Sequence, residues 1–159
     1  MKNYVASFVS KTTFTAGLGL LLALPSLSPA ADAVTDKALR GVWQGARFGE
    51  GKGEDPSKSI KLELAIEGNH IKCKRLPNGE AEGEGDFTLS ADGKALDATG
   101  GTSKYKGKLY CGAIKIEGDT LTWCVNTSGK TEDRPTEFVG DKEKKNWLVI
   151  LGVIKSGRG

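Results

Sequence analysis

The sequence predicts an all-β protein, a small antiparallel up-and-down barrel of about eight strands. Short segments rich in β-branched and aromatic residues recur along the chain, and turn signals such as Gly68-Asn69 and Gly118-Asp119 separate them. The segment Ser59–Glu67 alternates strictly between apolar and polar residues, as a strand with one buried face does. No segment with a helical period is long enough to alternate with these strands, which argues against an α/β fold.

The first 33 residues are expected to be a secretory signal peptide and not part of the fold. Lys2 and Lys11 are basic, the run Phe14–Leu24 is apolar, and small residues suited to cleavage lead up to Ala30 and Ala33. A membrane anchor is the alternative, but this run is shorter than the roughly 20 apolar residues that span a bilayer. We therefore expect an exported protein, periplasmic or secreted, with no membrane span after cleavage.

The rest of the chain, residues 34–159, is long enough for one domain with a hydrophobic core but not for two. The whole chain has 23 Lys and Arg against 20 Asp and Glu, a net charge of +3. These charges are interleaved along the predicted strands, so no patch suited to nucleic acid or to a membrane surface is expected. We expect this domain to be a monomer.

In the first half of the domain, the chain is expected to run from a short capped lead-in through three strands. The first strand carries Trp43 facing inward, and a charged, glycine-rich loop separates it from the second strand. The second strand turns at Gly68-Asn69 directly into the third. In order, the segments are Thr35–Arg40, Leu39–Phe48, the loop Gly49–Lys58, Ser59–Glu67 and His70–Arg75.

The second half is expected to begin with a glycine-rich, acidic strand whose glycines mark a bend or a close approach of the backbone. Another strand and a hairpin follow, and then an edge segment containing Pro135, because proline is tolerated at sheet edges. The last apolar run is typical of a strand covered on both faces, which could close the barrel. In order, the segments are Glu80–Leu89, Ala95–Thr99, Lys104–Ile116, Thr120–Val125, Arg134–Phe138 and Trp147–Lys155.

The hairpin around Gly118-Asp119 can be given a register from the sequence. If these two residues form the loop, Glu117 faces Thr120 and Ile114 faces Trp123. The large apolar side chains then share one face of the hairpin, which we expect to point into the barrel.

The chain has three cysteines, an odd number for a compartment that is expected to be oxidising. In the predicted register Cys111 faces Asn126, so Cys111 and Cys124 share a face diagonally, at the limit of what a disulfide can bridge. A bulge at Gly112 would bring them together. A disulfide between Cys111 and Cys124 and free thiols both remain open, and Cys73 is left over in either case.

Side chains that could support catalysis or metal binding are few, and we expect neither an enzyme nor a metal protein. His70 is the chain's only histidine and lies beside a predicted turn, which favours a surface residue over a catalytic base. Two acid pairs could act in a glycosidase, but acidic residues on glycine-rich strands are more often solvated. No phosphate loop, nucleophile elbow or CxxC motif occurs, and no cofactor is expected. The acid pairs are Glu82 with Glu84 and Asp97 with Glu137.

An ordered set of short motifs connects the chain with a known family. The motifs are Leu39-x-Gly41-x-Trp43, Leu96-Asp97, Gly118-Asp119-Thr120-Leu121-x-x-Cys124, Arg134-Pro135-x-Glu137-Phe138 and Leu148-Val149-Ile150-Leu151. Together they resemble a lipocalin-like domain family that is abundant in planctomycete bacteria and largely uncharacterised. The resemblance covers nearly all of the chain after the signal segment and implies an exported, calycin-like β-barrel. It brings no established catalytic or binding residues to this chain.

Two functions fit this sequence. The first is a non-enzymatic protein that binds a small apolar ligand in the interior or mouth of the barrel. The second is a module with a filled core, which binds a protein or cell-envelope partner through its loops or an open edge near Arg134–Phe138. A hydrolase acting through the acidic strand would need two converging carboxyl groups. The candidate ligand-binding residues are Trp43, Leu62, Leu64, Ile66, Phe87, Leu89, Tyr110, Ile114, Ile116, Leu121 and Trp123.

Overall fold

The computed structural model describes residues 33–49 and 58–155. Apart from Ala33, the predicted signal segment lies outside the described residues. Most of the predicted loop Gly49–Lys58 also lies outside them.

Within these residues the chain forms a closed antiparallel barrel of eight strands, which confirms the predicted fold class. Each strand pairs with its neighbour in sequence, and the last strand pairs with the first. A helix of one turn, α1 (Asp36–Leu39), precedes the barrel. The strands are β1 (Gly41–Phe48), β2 (Ile60–Glu67), β3 (His70–Arg75), β4 (Glu80–Leu89), β5 (Ala95–Gly100), β6 (Leu109–Glu117), β7 (Thr120–Asn126) and β8 (Asn146–Val153). No helix in the described ranges is long and apolar enough to cross a membrane.

The end of the barrel next to α1, the closed end, is filled by side chains. Thr35 caps α1 by accepting a hydrogen bond at its Oγ1 from the Ala38 N–H, at 3.2 Å. Leu39 at the end of this helix is fully buried, and its carbonyl accepts a hydrogen bond of 2.8 Å from Nε1 of Trp43. Val34 is also buried, and its N–H donates to the Gly93 carbonyl. The lead-in therefore plugs the barrel, with Trp43 as the residue that joins plug and wall.

The connections differ in length between the two ends of the barrel. At the closed end, β2 joins β3 through Gly68-Asn69, and β6 joins β7 through Gly118-Asp119, with only these two residues in each turn. At the opposite end, the mouth, β5 joins β6 through residues 101–108, and β7 joins β8 through residues 127–145. The two longest connections among the described residues therefore lie at the mouth, where binding residues are common in proteins.

The β6–β7 hairpin has the register predicted from the sequence. Glu117 pairs with Thr120, and Ile114 pairs with Trp123. Ile114 is buried in the core, and Trp123 packs against it, so this face does point into the barrel. Alternation and a two-residue turn were sufficient to fix the register here because a shift by one residue would turn every apolar side chain outward.

All three cysteines are free thiols in the structure. Cys111 pairs with Asn126 and Cys124 pairs with Ala113, so the two cysteines share a face diagonally, as expected. The strands β6 and β7 pair without a register shift, so no bulge at Gly112 brings the two cysteines together. The Cys111–Cys124 disulfide is therefore not formed here, and the structure shows the free-thiol alternative.

Two predictions about the end of the chain were wrong. The segment Arg134–Phe138 is not an edge strand, because β8 pairs with both β7 and β1 and leaves the barrel without an open edge. The last apolar strand is not covered on both faces, since Ile150 is 39% exposed on the outside.

Candidate functional site: a cavity at the mouth of the barrel

A cavity of about 460 Å³, the mouth cavity, opens at the end of the barrel opposite α1. All eight strands contribute to its lining, from Arg47 on β1 to Val149 on β8. Its volume lies within the range of about 300–1,000 Å³ that is usual for small-molecule sites. The barrel is therefore filled at one end and hollow at the other.

The inner part of the cavity is apolar, and Trp123 lies between it and the filled core. The indole Nε1 of Trp123 donates to the Leu96 carbonyl at 3.3 Å. A Cβ at Gly112 would lie 2.1 Å from this Nε1, so the indole occupies space that only a glycine leaves free. The other apolar lining residues of this part are Leu62, Leu64, Ile71, Ala98, Val125 and Val149.

Gly83 of β4 and Gly100 of β5 make room for Tyr105, which belongs to the β5–β6 connection. A Cβ at Gly83 would come within 2.9 Å of the Tyr105 ring. A Cβ at Gly100 on β5 would lie 2.0 Å from the Tyr105 carbonyl oxygen. Of the two roles predicted for the glycines of this strand, a bend or a close approach, the structure shows close approaches, of the Tyr105 ring at Gly83 and of the Thr99 carbonyl at Gly85. The approach at Gly83 brings an aromatic ring to the rim of the cavity, where Tyr105 meets Tyr110 edge to face at 6.4 Å.

Three charged residues at the rim form what we call the mouth cluster: Arg47, Arg75 and Glu82. Nη2 of Arg75 lies 3.1 and 2.9 Å from the two carboxylate oxygens of Glu82. Nη1 of Arg47 lies 3.7 Å from Oε1 of the same carboxylate. The guanidinium of Arg47 also stacks on the indole of Trp147, 3.8 Å from the ring centroid. Glu82 can reach both arginines because β4 bulges opposite Cys73 and Lys74, which pair with Gly83 and Ala81.

Burial at the rim shifts the pKa values of Arg47 and of the neighbouring Cys73. Burial lowers the pKa of Arg47 from its usual value, while the charge of Glu82 opposes this change. Burial, with a further contribution from Glu82, raises the pKa of the Cys73 thiol to about 11. Cys73 also lines the cavity, so it presents a neutral thiol there at physiological pH.

Four of the predicted site residues line the mouth cavity: Leu62, Leu64, Tyr110 and Trp123. The other seven lie elsewhere inside the barrel and do not line it. Five of them are buried in the filled core, and two pack against it. The seven are Trp43, Ile66, Phe87, Ile114, Leu121, Leu89 and Ile116.

The sequence reasoning missed the polar and aromatic rim. Arg47 could have been found, because it follows Trp43 and Gly45 on the same alternating face of β1. Trp147 alternates with Val149 in the same way. Tyr105 had no comparable signal, since it lies in an irregular connection of which residues 103–105 form a single 3₁₀ turn.

In the predicted acid pairs, Asp97, Glu82 and Glu84 each have a different basic partner. Asp97 is ion-paired with Arg134. Glu82 belongs to the mouth cluster, and Glu84 lies 3.8 Å from Nε2 of His70. His70 is partly exposed and forms a hydrogen bond of 2.8 Å with Asp86 through Nδ1.

A second, polar cleft of about 680 Å³ lies along the β7–β8 connection. Its wall is held by Asn126, whose amide donates to the Asn146 side chain at 2.8 Å and to the Lys144 carbonyl at 2.7 Å. The rest of its lining is mostly charged.

In the part of the chain that the structure describes, no group of His, Cys, Asp or Glu side chains could hold a metal ion. Neither a protein-family model, nor a curated protein, nor a solved structure matches this chain.

Proposed function

We propose that this protein binds a small, largely apolar molecule in its mouth cavity and does not catalyse a reaction on it. The observation that supports the proposal is the cavity itself, about 460 Å³ of space with aliphatic and aromatic walls. Burial of apolar ligand surface against such walls contributes roughly 25 cal/mol per Å², before the costs of ordering the ligand. The filled closed end forms the floor of the cavity, which opens at the mouth.

We also propose that the protein is exported and lipocalin-like. The support is the order of basic, apolar and small residues in residues 1–33, together with the ordered motifs of the barrel. A protein of this kind would hold its ligand in the periplasm or outside the cell.

A second candidate function is the binding of a protein or envelope partner through the β7–β8 connection. The polar cleft along residues 127–145 favours it, because charged side chains of both signs lie there. The predicted open edge no longer supports this function, since the barrel is closed.

The first proposal can be tested by titrating the purified protein with N-phenylnaphthylamine, a neutral probe that fluoresces in apolar surroundings. We expect saturable binding of one probe per chain. The substitution Ala98→Phe should weaken it by about tenfold or more, because Ala98 lines the cavity and a phenyl ring would fill part of it.

The matched control is Ala65→Phe. It adds the same ring on the outward face of β2, where Ala65 pairs with Val42 on one side and Lys72 on the other. Its probe affinity should equal that of the wild-type protein. If the folded wild-type protein binds no neutral probe, or if both variants lose binding equally, the cavity is not the binding site.

A further inference from the structure

We infer that the ligand is a monoanionic amphiphile with a carboxylate head. Arg47 binds this head at the rim, and the apolar tail lies in the cavity below. This inference rests on the proposed function and names the class of ligand.

The charge of the mouth cluster favours an anion. Two arginines share one carboxylate, that of Glu82, which leaves one positive charge unmatched. The lining also holds one carboxylate, Glu84, and one ammonium group, Lys108, whose opposite charges leave this excess of one positive charge unchanged. The side chains of Arg47 and Glu82 are only 19% and 16% exposed, so their charges are weakly screened.

The hydrogen bonds identify Arg47 as the arginine with donors to spare. Arg75 lies within hydrogen-bond distance of both oxygens of Glu82, whereas Nη1 of Arg47 is 3.7 Å from the nearer oxygen. Nε is buried without an acceptor among the described residues in both arginines, so the longer Nη1 contact is what distinguishes Arg47. A guanidinium has five N–H donors, and buried donors without partners cost free energy. A ligand carboxylate would supply two acceptor oxygens in a geometry that a guanidinium matches.

The surroundings of Arg47 hold its guanidinium in place before a ligand arrives. Trp147 stacks on it at 3.8 Å, and Arg47 is opposite Val149 in the β1–β8 pairing. Val149 lines the cavity below the rim, together with Leu62 and Trp123. An amphiphile bound by its head at Arg47 would therefore place its tail against apolar walls. Fixing the donor in advance reduces the entropy lost on binding.

A carboxylate fits better than a phosphate monoester. One unmatched positive charge suits a single negative charge, whereas a phosphate monoester carries about −1.5 to −2 at neutral pH. A second negative charge at the rim would face Glu82, whose carboxylate lies within 3.7 Å of Arg47.

The test compares decanoate, decanol and decyl phosphate, which share one tail, by their displacement of N-phenylnaphthylamine from the purified protein. We expect decanoate to bind about tenfold or more tightly than decanol, as a charge-assisted hydrogen bond implies. Decyl phosphate should bind no more tightly than decanoate. Arg47→Gln should remove the preference for decanoate over decanol, and Arg47→Lys should restore only part of it, because lysine lacks the planar fork.

The matched control is Lys72→Gln, which removes one positive charge from an exposed position of β3. It should leave all three affinities unchanged. If decanoate binds no more tightly than decanol to the wild-type protein, or if Arg47→Gln weakens both equally, the inference is wrong while the cavity remains a binding site. If neither the probe nor decanol nor decanoate binds, both the proposed function and the inference fail. If Arg47→Gln does not fold, the wild-type and Arg47→Lys comparisons decide the question.

Discussion

Gly112 shows how one missing side chain shapes the candidate site. The Trp123 indole packs directly against Gly112 of β6 and separates the cavity from the core. From the sequence, Gly112 was considered only as a site where a bulge could bring Cys111 and Cys124 together. Its actual role depends on a tryptophan from the neighbouring strand, a contact that no local pattern reveals.

Gly112→Ala is expected to lower the free energy of unfolding by about 1–3 kcal/mol, the usual cost of overpacking. The added methyl would lie 2.1 Å from Nε1 of Trp123 and 2.8 Å from the Cys124 carbonyl oxygen, so the indole must move from its place between the core and the cavity. Urea denaturation measures the loss of stability, and titration with N-phenylnaphthylamine measures how far the displaced indole weakens binding in the cavity.

The control for this substitution is Gly101→Ala. There the new Cβ would have its nearest contacts at 3.6 Å, which is ordinary van der Waals contact. Its effect should stay within about 0.5 kcal/mol. Equal effects of the two substitutions would contradict the packing role of Gly112.

Cys73 provides a prediction about pH. Its pKa rises from the ordinary 9.0 to about 11 on folding, mainly because burial disfavours the thiolate. Between these values the unfolded chain loses the proton that the folded chain keeps. Stability is therefore complete below about pH 9 and falls as the pH rises toward about 11.

Cys73→Ala should reduce this loss of stability relative to the wild-type protein, as measured by urea denaturation across that pH range. Cys111 and Cys124 remain in both proteins and contribute equally to both curves. Parallel curves for the wild-type and the variant protein would show that Cys73 does not titrate in this way.

At the scale of the elements, strands and turns were predictable where the information is local. The alternation in β2 and the two-residue turn between β6 and β7 depend only on neighbouring residues, and both were predicted correctly. The β7–β8 connection was not, because Pro135 suggested an edge strand. Its path is set instead by Asn126 and Asn146, which are 20 residues apart and hydrogen-bonded to each other.

Asn126→Ala is expected to lower the free energy of unfolding by about 2–4 kcal/mol, since each of its bonds contributes about 1 kcal/mol and its partners would be left unsatisfied. Asn126 is 1% exposed, donates to Lys144 and Asn146, and accepts from the Ser128 N–H at 2.7 Å. Hydrogen exchange should show faster opening of residues 127–145.

Thr127→Ala is the neighbouring control, because Thr127 is exposed and its hydroxyl donates over a longer 3.3 Å to the Lys145 carbonyl. Its exchange pattern should match that of the wild-type protein. Unchanged exchange in the Asn126 variant would show that other contacts hold the connection.

At the scale of the whole molecule, the sequence predicted a barrel but could not say how much of it is filled. Apolar alternation marks every inward position alike, so Ile66 in the core and Leu64 beside the cavity gave the same signal. The boundary between them depends on the plug, in which Leu39 comes from outside the regular pattern of the strands and accepts a hydrogen bond from Trp43 of β1. The monomeric state stays a prediction, and a closed barrel without a free sheet edge is consistent with it.

The unequal connections of the barrel also bear on how such a protein can diversify. The two-residue turns and the plug lie at the closed end, whereas the long β5–β6 and β7–β8 connections lie at the mouth. Doubling the length of a flexible loop costs only about 0.6 kcal/mol in closure entropy. Proteins that evolve from this chain could therefore change the sequence and length of their mouth loops, and so their ligand specificity, while the closed end keeps its fold.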